Sequence, residues 1–202
     1  MEAGVRIIPQ SVGAAVGSLS AGLIMNKTGR YKALGIALVS IFCLGCSWLP
    51  LVHLQALEWP RLISIGLVGV GYGGMLTVTL LATLSAVDHE NQAVITSATY
   101  AFRSTGATVG ITVASAVYQN ILKLSLWQRF GSLPGIADEI ERIRDNFDEL
   151  HRLSPEWRAK ALDSYMDALT GVFLTALAAA LMGLVSQLFI RQHTLHSTLA
   201  RK

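Results

Sequence analysis

Charge is what this chain has least of. Only 14% of its 202 residues are Asp, Glu, Lys or Arg, where soluble domains carry about 25%. The deficit is concentrated in long stretches. Residues 7–26, 33–57, 62–87 and 168–190 hold no ionised side chain, and 91–122 hold Arg103 alone. Cysteine is scarce as well. Cys43 and Cys46 both sit in an apolar run, which excludes a disulfide scaffold, and with no second pair their spacing is no zinc site. No basic segment follows Met1, so the first apolar run reads as its own insertion signal and not as a cleaved leader. The period-two alternation of a membrane barrel strand is absent. Paired acids, a metal triad, or a nucleophile beside a base are absent from every apolar run. The expectation is therefore no enzyme, no catalytic residue, no cofactor and no metal. The net charge of +3 is scattered over loops and forms no stripe for nucleic acid.

What remains is long and apolar. A helix rises about 1.5 Å per residue, so about 20 residues cross a hydrocarbon core of about 30 Å. A backbone facing lipid must satisfy its own polar groups, which leaves helices. The chain is predicted to be an all-α integral membrane protein with about five transmembrane helices. Four lie in 1–122, at about 7–26, 33–53, 62–86 and 93–122, and the last covers 168–191.

Between them, 123–167 is the sizeable polar segment, expected outside the membrane. Within it Ile136, Ile140, Ile143, Phe147, Leu150 and Leu153 recur at steps of three and four, the pattern of an amphipathic helix. Ser154-Pro155 reads as an N-cap followed by proline at the first position of a second, short helix that leads into the last span. Residues 192–202 form a polar tail. The short turn with Lys27, Arg30 and Lys32 and the tail with Arg191, Arg201 and Lys202 are placed in the cytoplasm, because bases near span ends stay inside. Met1 and 123–167 then lie outside or in a lumen. The glycosylation acceptor Asn26-Lys27-Thr28 would face the cytoplasm and stay unmodified.

Three patterns inside the spans carry weight. Gly13 with Gly17, and Gly69 with Gly73, are small residues one turn apart, suited to close helix packing. Gly69-x-Gly71-x-x-Gly74 matches a dinucleotide fingerprint in spelling only, since that motif needs a strand before it and a βαβ unit around it. Arg103 is the single ionised residue within a span, at a cost of roughly 2.5–3.5 kcal/mol near the bilayer centre. Gly106 and Gly110 share its helical stripe, a face that should pack closely or line a cavity. Two readings stand side by side: a cavity or gating arginine paired with an acid, or a structural pair with Asp88 or Glu90, or snorkelling to phosphates. His53 lies near a span end and reads as interfacial.

The segment Gly22-Leu-Ile-Met-Asn26-Lys27-Thr-Gly29-Arg30-Tyr31-Lys32 resembles the loop signature of the major facilitator superfamily: glycine, three free positions, an acid, a base, a free position, glycine and two bases. Asn26 stands for the acid and Tyr31 for the second base. Gly22 would allow close helix contact and Gly29 a tight turn, while Lys27 and Arg30 would cap helix ends or pair with acids. Ala3-Gly-Val-Arg-Ile-Ile-Pro9, Ser18-Leu-Ser-Ala-Gly22 and Ala101-Phe-Arg103-Ser-Thr-Gly106-Ala-Thr-Val-Gly110 look like fungal drug:proton antiporters of the fourteen-helix type, and within them vacuolar basic amino acid transporters.

The resemblance covers essentially the whole chain. It implies part of a C-terminal six-helix bundle whose partners are the lipid bilayer, an N-terminal transporter half and a further helix ahead of residue 7, a cationic amino acid or drug as substrate, and protons. It also implies a vacuolar or plasma membrane. No acid lies in the five spans, so the group that carries coupling is expected in that other half. The alternative from a different class is a non-transporting membrane subunit or scaffold that binds a partner through the 136–153 helix.

Overall fold

The computed structural model describes residues 7–49, 58–131 and 155–192, together with Gly4 and Ile140. Among these residues all regular structure is helical: α1 is Ile8–Thr28, α2 Lys32–Trp48, α3 Glu58–Ser85, α4 Gln92–Phe130 and α5 Pro155–Leu188, with a 3₁₀ turn at His89–Asn91 before α4. Of these, α1, α3, α4 and α5 are long and apolar enough to cross a membrane. The 17 residues of α2 rise about 26 Å. Its expected span reaches residue 53, but 50–57, with His53, lie outside the described residues. Large apolar side chains stay on the outside of the helices. Val12, Val16, Leu19 and Leu23 on α1 are each more than half exposed, a surface suited to acyl chains and unsuited to water. The chain is a multi-pass integral membrane protein.

Local sequence explains where the helices begin and end. Pro9 sits in the first turn of α1, where its missing N–H breaks no bond. Gly29 stops α1 in the left-handed region at φ 64°, with its N–H on the Met25 carbonyl at 2.9 Å. Hydroxyls inside the spans turn back on their own helix, as in Ser40 to the Ile36 carbonyl at 2.8 Å and Thr99 to the Ile95 carbonyl at 2.8 Å. In hydrocarbon that is the nearest acceptor available, so serine and threonine are tolerated there without a polar neighbour.

The chain divides into two compact units, Met1–Ala107 with Leu177–Lys202, and Thr108–Ala176. In the first, α3 packs on both α1 and α2. Glycine makes the approach to α1 possible. A Cβ at Gly17 would fall 2.8 Å from the Val70 Cα, and one at Gly73 would fall 2.7 Å from the Ala14 Cα. Cβ atoms at Gly13 and Gly69 would run into the Gly66 and Gln10 carbonyls. The two small-residue pairs expected to pack closely therefore pack on each other's helices. Ser18 and Thr77 add a hydroxyl–hydroxyl bond of 2.8 Å across this seam. On its other side α3 presents Gly71 and Gly74, whose added Cβ atoms would meet the Phe42 backbone nitrogen at 2.6 Å and Leu38 Cδ2 at 2.5 Å. The glycines that spell a nucleotide fingerprint are thus two packing faces of one central helix. Cys43 and Cys46 are buried free thiols, Cys43 against Val39 and Ala180.

In the second unit the end of α4 pairs with the start of α5. Tyr118 lies by Tyr165 with ring centroids 6.5 Å apart, and Phe130 by Trp157 at 5.4 Å. Residue numbers rise along one helix as they fall along the other, so the pair is antiparallel. Leu122, Leu126 and Phe130 interlock with Ala161, Tyr165 and Ala168, and Ile140 is buried against them. Along the edge, Arg129 reaches Asp167 at 2.7 Å, the Lys160 carbonyl at 3.0 Å and Ser164 Oγ at 3.1 Å, while Ser125 donates to Asp167 at 2.8 Å.

This arrangement differs from expectation in two respects. Residues 123–130 continue the helix of span four, and the short helix expected from Pro155 is one piece with the last span. Each gains because it shares an apolar face with the other. The amphipathic 136–153 helix lies outside the described residues, save that Ile140 is helical and buried.

Two substitution series test these contacts in detergent-solubilised protein by thermal unfolding. Gly17→Leu should cost at least about 1–3 kcal/mol through overpacking of the α1–α3 seam, while Gly22→Leu, with nothing within 4 Å of an added Cβ, should melt like the parent. Equal melting of the two would sink the seam. In the helical pair, Leu126→Ala should cost about 2–5 kcal/mol. Arg129→Met should cost about 1 kcal/mol or less, because the 30% and 50% exposed side chains of Arg129 and Asp167 are screened by solvent. The reverse order would show that charge, not packing, holds the pair.

Candidate functional site

The signature residues gather at the junction of α1 and α2. Gly22, Asn26 and Lys27 ride the last turns of α1, and Gly29 and Arg30 form the turn itself. The left-handed Gly29 is what lets the chain reverse within Gly29, Arg30 and Tyr31 before α2 starts at Lys32. Thr28 helps, donating to the Ile24 carbonyl at 2.7 Å and accepting from the Arg30 N–H at 3.4 Å. Asn26, Lys27 and Arg30 are exposed. Lys27 lies in the last turn of α1, where the helix dipole favours a cation. Neither Lys27 nor Arg30 forms an ion pair among the described residues. Gly22 makes no close helix contact among the described residues. A Cβ there would meet nothing within 4 Å, because Gly22 faces away from the seam that Gly13 and Gly17 make with α3.

Sequence reasoning missed the groups that hold the turn. Tyr31, standing where the signature has a base, is fully buried with Ala21, Met25, Leu38, Val78 and Ala82. Its hydroxyl donates to the Arg191 carbonyl at 2.8 Å. Gln192 accepts from the Lys32 N–H at 3.0 Å and donates to the Gly29 carbonyl at 3.0 Å. The departure at Tyr31 was visible in the sequence, whereas nothing marked Gln192, which sits 160 residues away in a polar tail. Arg30, Lys32, Ala33, Ile36 and Gln192 line an open depression of about 330 Å³ beside the turn.

One further polar group was overlooked because it is neutral. Gln187, near the end of α5, is 95% buried, and its Nε2 has no hydrogen-bond partner among the described residues. The glycine at Gly35 makes room for that amide, since an added Cβ would collide with Nε2.

The second candidate group lies on α4, away from the turn in sequence and built differently. Arg103 is partly exposed and its guanidinium stands over the Tyr100 ring, 5.1 Å from the centroid, a cation–π arrangement. The structural pairing with Asp88 or Glu90 is not formed. Among the described residues Arg103 has no ion pair, because both acids belong to the turn before α4 while Arg103 lies three helical turns further along. Gly106 and Gly110 are exposed, and a Cβ at either would meet nothing within 4 Å. Phe102, Val109 and Ile111 are likewise more than half exposed. This stretch of α4 is apolar, small-residue rich and bare, with one cation set into it.

No family model matches the chain, and no solved structure does. Curated relatives are found over nearly all of it. Multidrug resistance protein fnx1 of Schizosaccharomyces pombe is 33% identical over 203 residues, covering 99% of this chain and 38% of that one. The vacuolar membrane amino acid uptake transporter fnx2 of the same yeast is 27% identical, covering 96% and 33%. The MFS-type efflux transporter ffsH of Aspergillus flavipes is 29% identical, covering 97% and 35%. The chain spans about a third of the length of these relatives. Along almost every residue, then, this chain of apolar helices with a basic turn at a left-handed glycine is similar to multidrug and amino acid transporters and to proteins named as MFS-type, that is, major facilitator superfamily, transporters.

Proposed function

We propose that this chain is the C-terminal portion of a proton-coupled secondary transporter that moves cationic amino acids or small drugs, by export or by vacuolar uptake. The observation that carries the reading is the α4 stripe. A lone arginine on a stripe with small residues, with no described residue within 4 Å of a Cβ added at Gly106 or Gly110, suits the wall of a transport path between two halves. A packed structural helix would hide it. Transport in such bundles proceeds by rocking of one half against the other around a site near the bilayer midplane. Here the seam of α1 and α3 supplies a rigid body and α4 supplies the wall. Arg103, Gly106 and Gly110 are the candidate transport and gating residues, and the basic turn is the candidate loop motif on the cytoplasmic side. The names of the relatives favour transport over a scaffold role.

In this reading Arg103 meets its counter-charge across the path, on the other half. The coupling acid belongs there as well, because the described spans carry no Asp or Glu beyond the ends of the apolar runs.

The test is uptake into sealed vesicles by a longer protein that contains this chain, comparing lysine, arginine and a cationic drug. Arg103→Ala should lower transport by at least about tenfold, the scale of one lost buried charge interaction, with the protein still inserted by protease protection. Arg103→Lys should keep part of the activity. Unchanged uptake in Arg103→Ala would reduce Arg103 to a structural residue, and no uptake of any of the three solutes by the parent protein would remove the substrate class.

A further inference from the structure

We propose that the end of the last helix is a clamp on the basic turn, with Tyr31 and Gln192 as positioning residues that make the adjoining ends of α1, α2 and α5 move as one body. Helix ends leave backbone groups without partners. The Lys32 N–H belongs to the first turn of α2 and has no acceptor within its own helix. The Gly29 carbonyl lies just past the end of α1, and the Arg191 carbonyl three residues past the end of α5. Each of these three stranded groups is met by a side chain from across the junction. The carboxamide of Gln192 serves two of them at once, accepting from Lys32 and donating to Gly29, both at 3.0 Å. Only an amide side chain offers a fixed donor and acceptor side by side. Tyr31 serves the third, with its hydroxyl on Arg191 at 2.8 Å.

Packing turns these bonds into a constraint. Tyr31 is fully buried, wedged between Met25 and Ala21 of α1 and Val78 and Ala82 of α3, with Ile190 packed against the same cluster. A buried phenol cannot swing to solvent, so the Arg191 carbonyl is held where the Tyr31 ring is held. The Gln192 amide then closes the loop back to the two ends of the turn. The basic side chains Arg30 and Lys32 are carried on this frame, at the rim of the depression that Gln192 helps line. Their position relative to the last helix is therefore set by two residues that bear no charge. A base at position 31 would have to leave the apolar cluster, and the frame would lose its wedge.

The role in transport rests on the function proposed above, but the clamp itself is testable without it. Hydrogen exchange is followed by mass spectrometry on the full 202-residue chain in lipid nanodiscs. Gln192→Ala should speed exchange across 29–35 by about tenfold, the scale set by two lost hydrogen bonds, while peptides from the α1–α3 seam stay as protected as in the parent. Gln192→Glu, whose carboxylate accepts from Lys32 but cannot donate to Gly29, should give a smaller increase, and Tyr31→Phe should speed exchange while keeping the ring in place. Unchanged exchange over 29–35 in both Gln192→Ala and Tyr31→Phe would overturn the clamp. In the longer protein that transports, Gln192→Ala should lower kcat severalfold with KM unchanged, and Gln192→Glu should restore part of it. Faster exchange with kcat untouched would overturn the positioning role. A parent protein without transport would count against the proposed function alone, since the exchange measurement still decides the clamp.

Discussion

The contact between α1 and α3 is the constraint on which the first unit depends. Lipid tails are as apolar as leucine, so burying apolar side chains gives membrane helices little reason to associate. What remains is close packing, and close packing needs backbones that can approach each other. Gly13 and Gly17 on one helix and Gly69 and Gly73 on the other remove the Cβ atoms that would hold the axes apart. Once that seam is closed, α3 has its opposite face fixed as well, and Gly71 and Gly74 admit α2 there. The turn between α1 and α2 is consequently short of freedom: both of its helices are already docked on a third.

That constraint divides the chain by role. Where glycine is buried against backbone, at the seam, the helices cannot slide without collision. Where glycine is exposed, at Gly106 and Gly110, no described residue lies within 4 Å of an added Cβ. The same residue type thus marks a close interface on α3 and an uncovered face on α4. The difference lies in whether a neighbour has moved into the space, which composition alone does not report.

Much of this was legible in the sequence, for a physical reason in each case. Charge-free runs are readable because a buried ion is too expensive to scatter at random. The turn at Gly29 is readable because a left-handed residue after a helix is nearly always glycine. The seam glycines were readable by spacing, though not their mutual partnership. Other features depend on tertiary contacts. Gly22 has the spacing of a packing residue and faces away from the seam, because the phase of a helix is set by its neighbours. The continuation of α4 through Phe130, and of α5 from Pro155, rests on a tertiary pair in which Leu122, Leu126 and Phe130 meet Ala161, Tyr165 and Ala168. Either half alone looks like a polar flank. Gln187 bears no charge and so leaves no mark in the sequence, although it is buried and its Nε2 has no hydrogen-bond partner among the described residues.

Tyr31 shows most clearly how a departure from a signature can be informative. Judged against the pattern of bases, it is a loss of charge. Judged against its surroundings, it is the one large polar-tipped residue that can fill the space between Met25, Leu38 and Val78 and still offer a donor to the Arg191 carbonyl. A lysine or arginine there would snorkel outward and leave both the apolar space and the carbonyl unserved. The charge the signature calls for is carried one residue later by Lys32, whose N–H is tied to Gln192. The basic turn is therefore not a weakened copy of a charged loop. It is a turn held by a buried ring and an amide, interactions that salt does not screen.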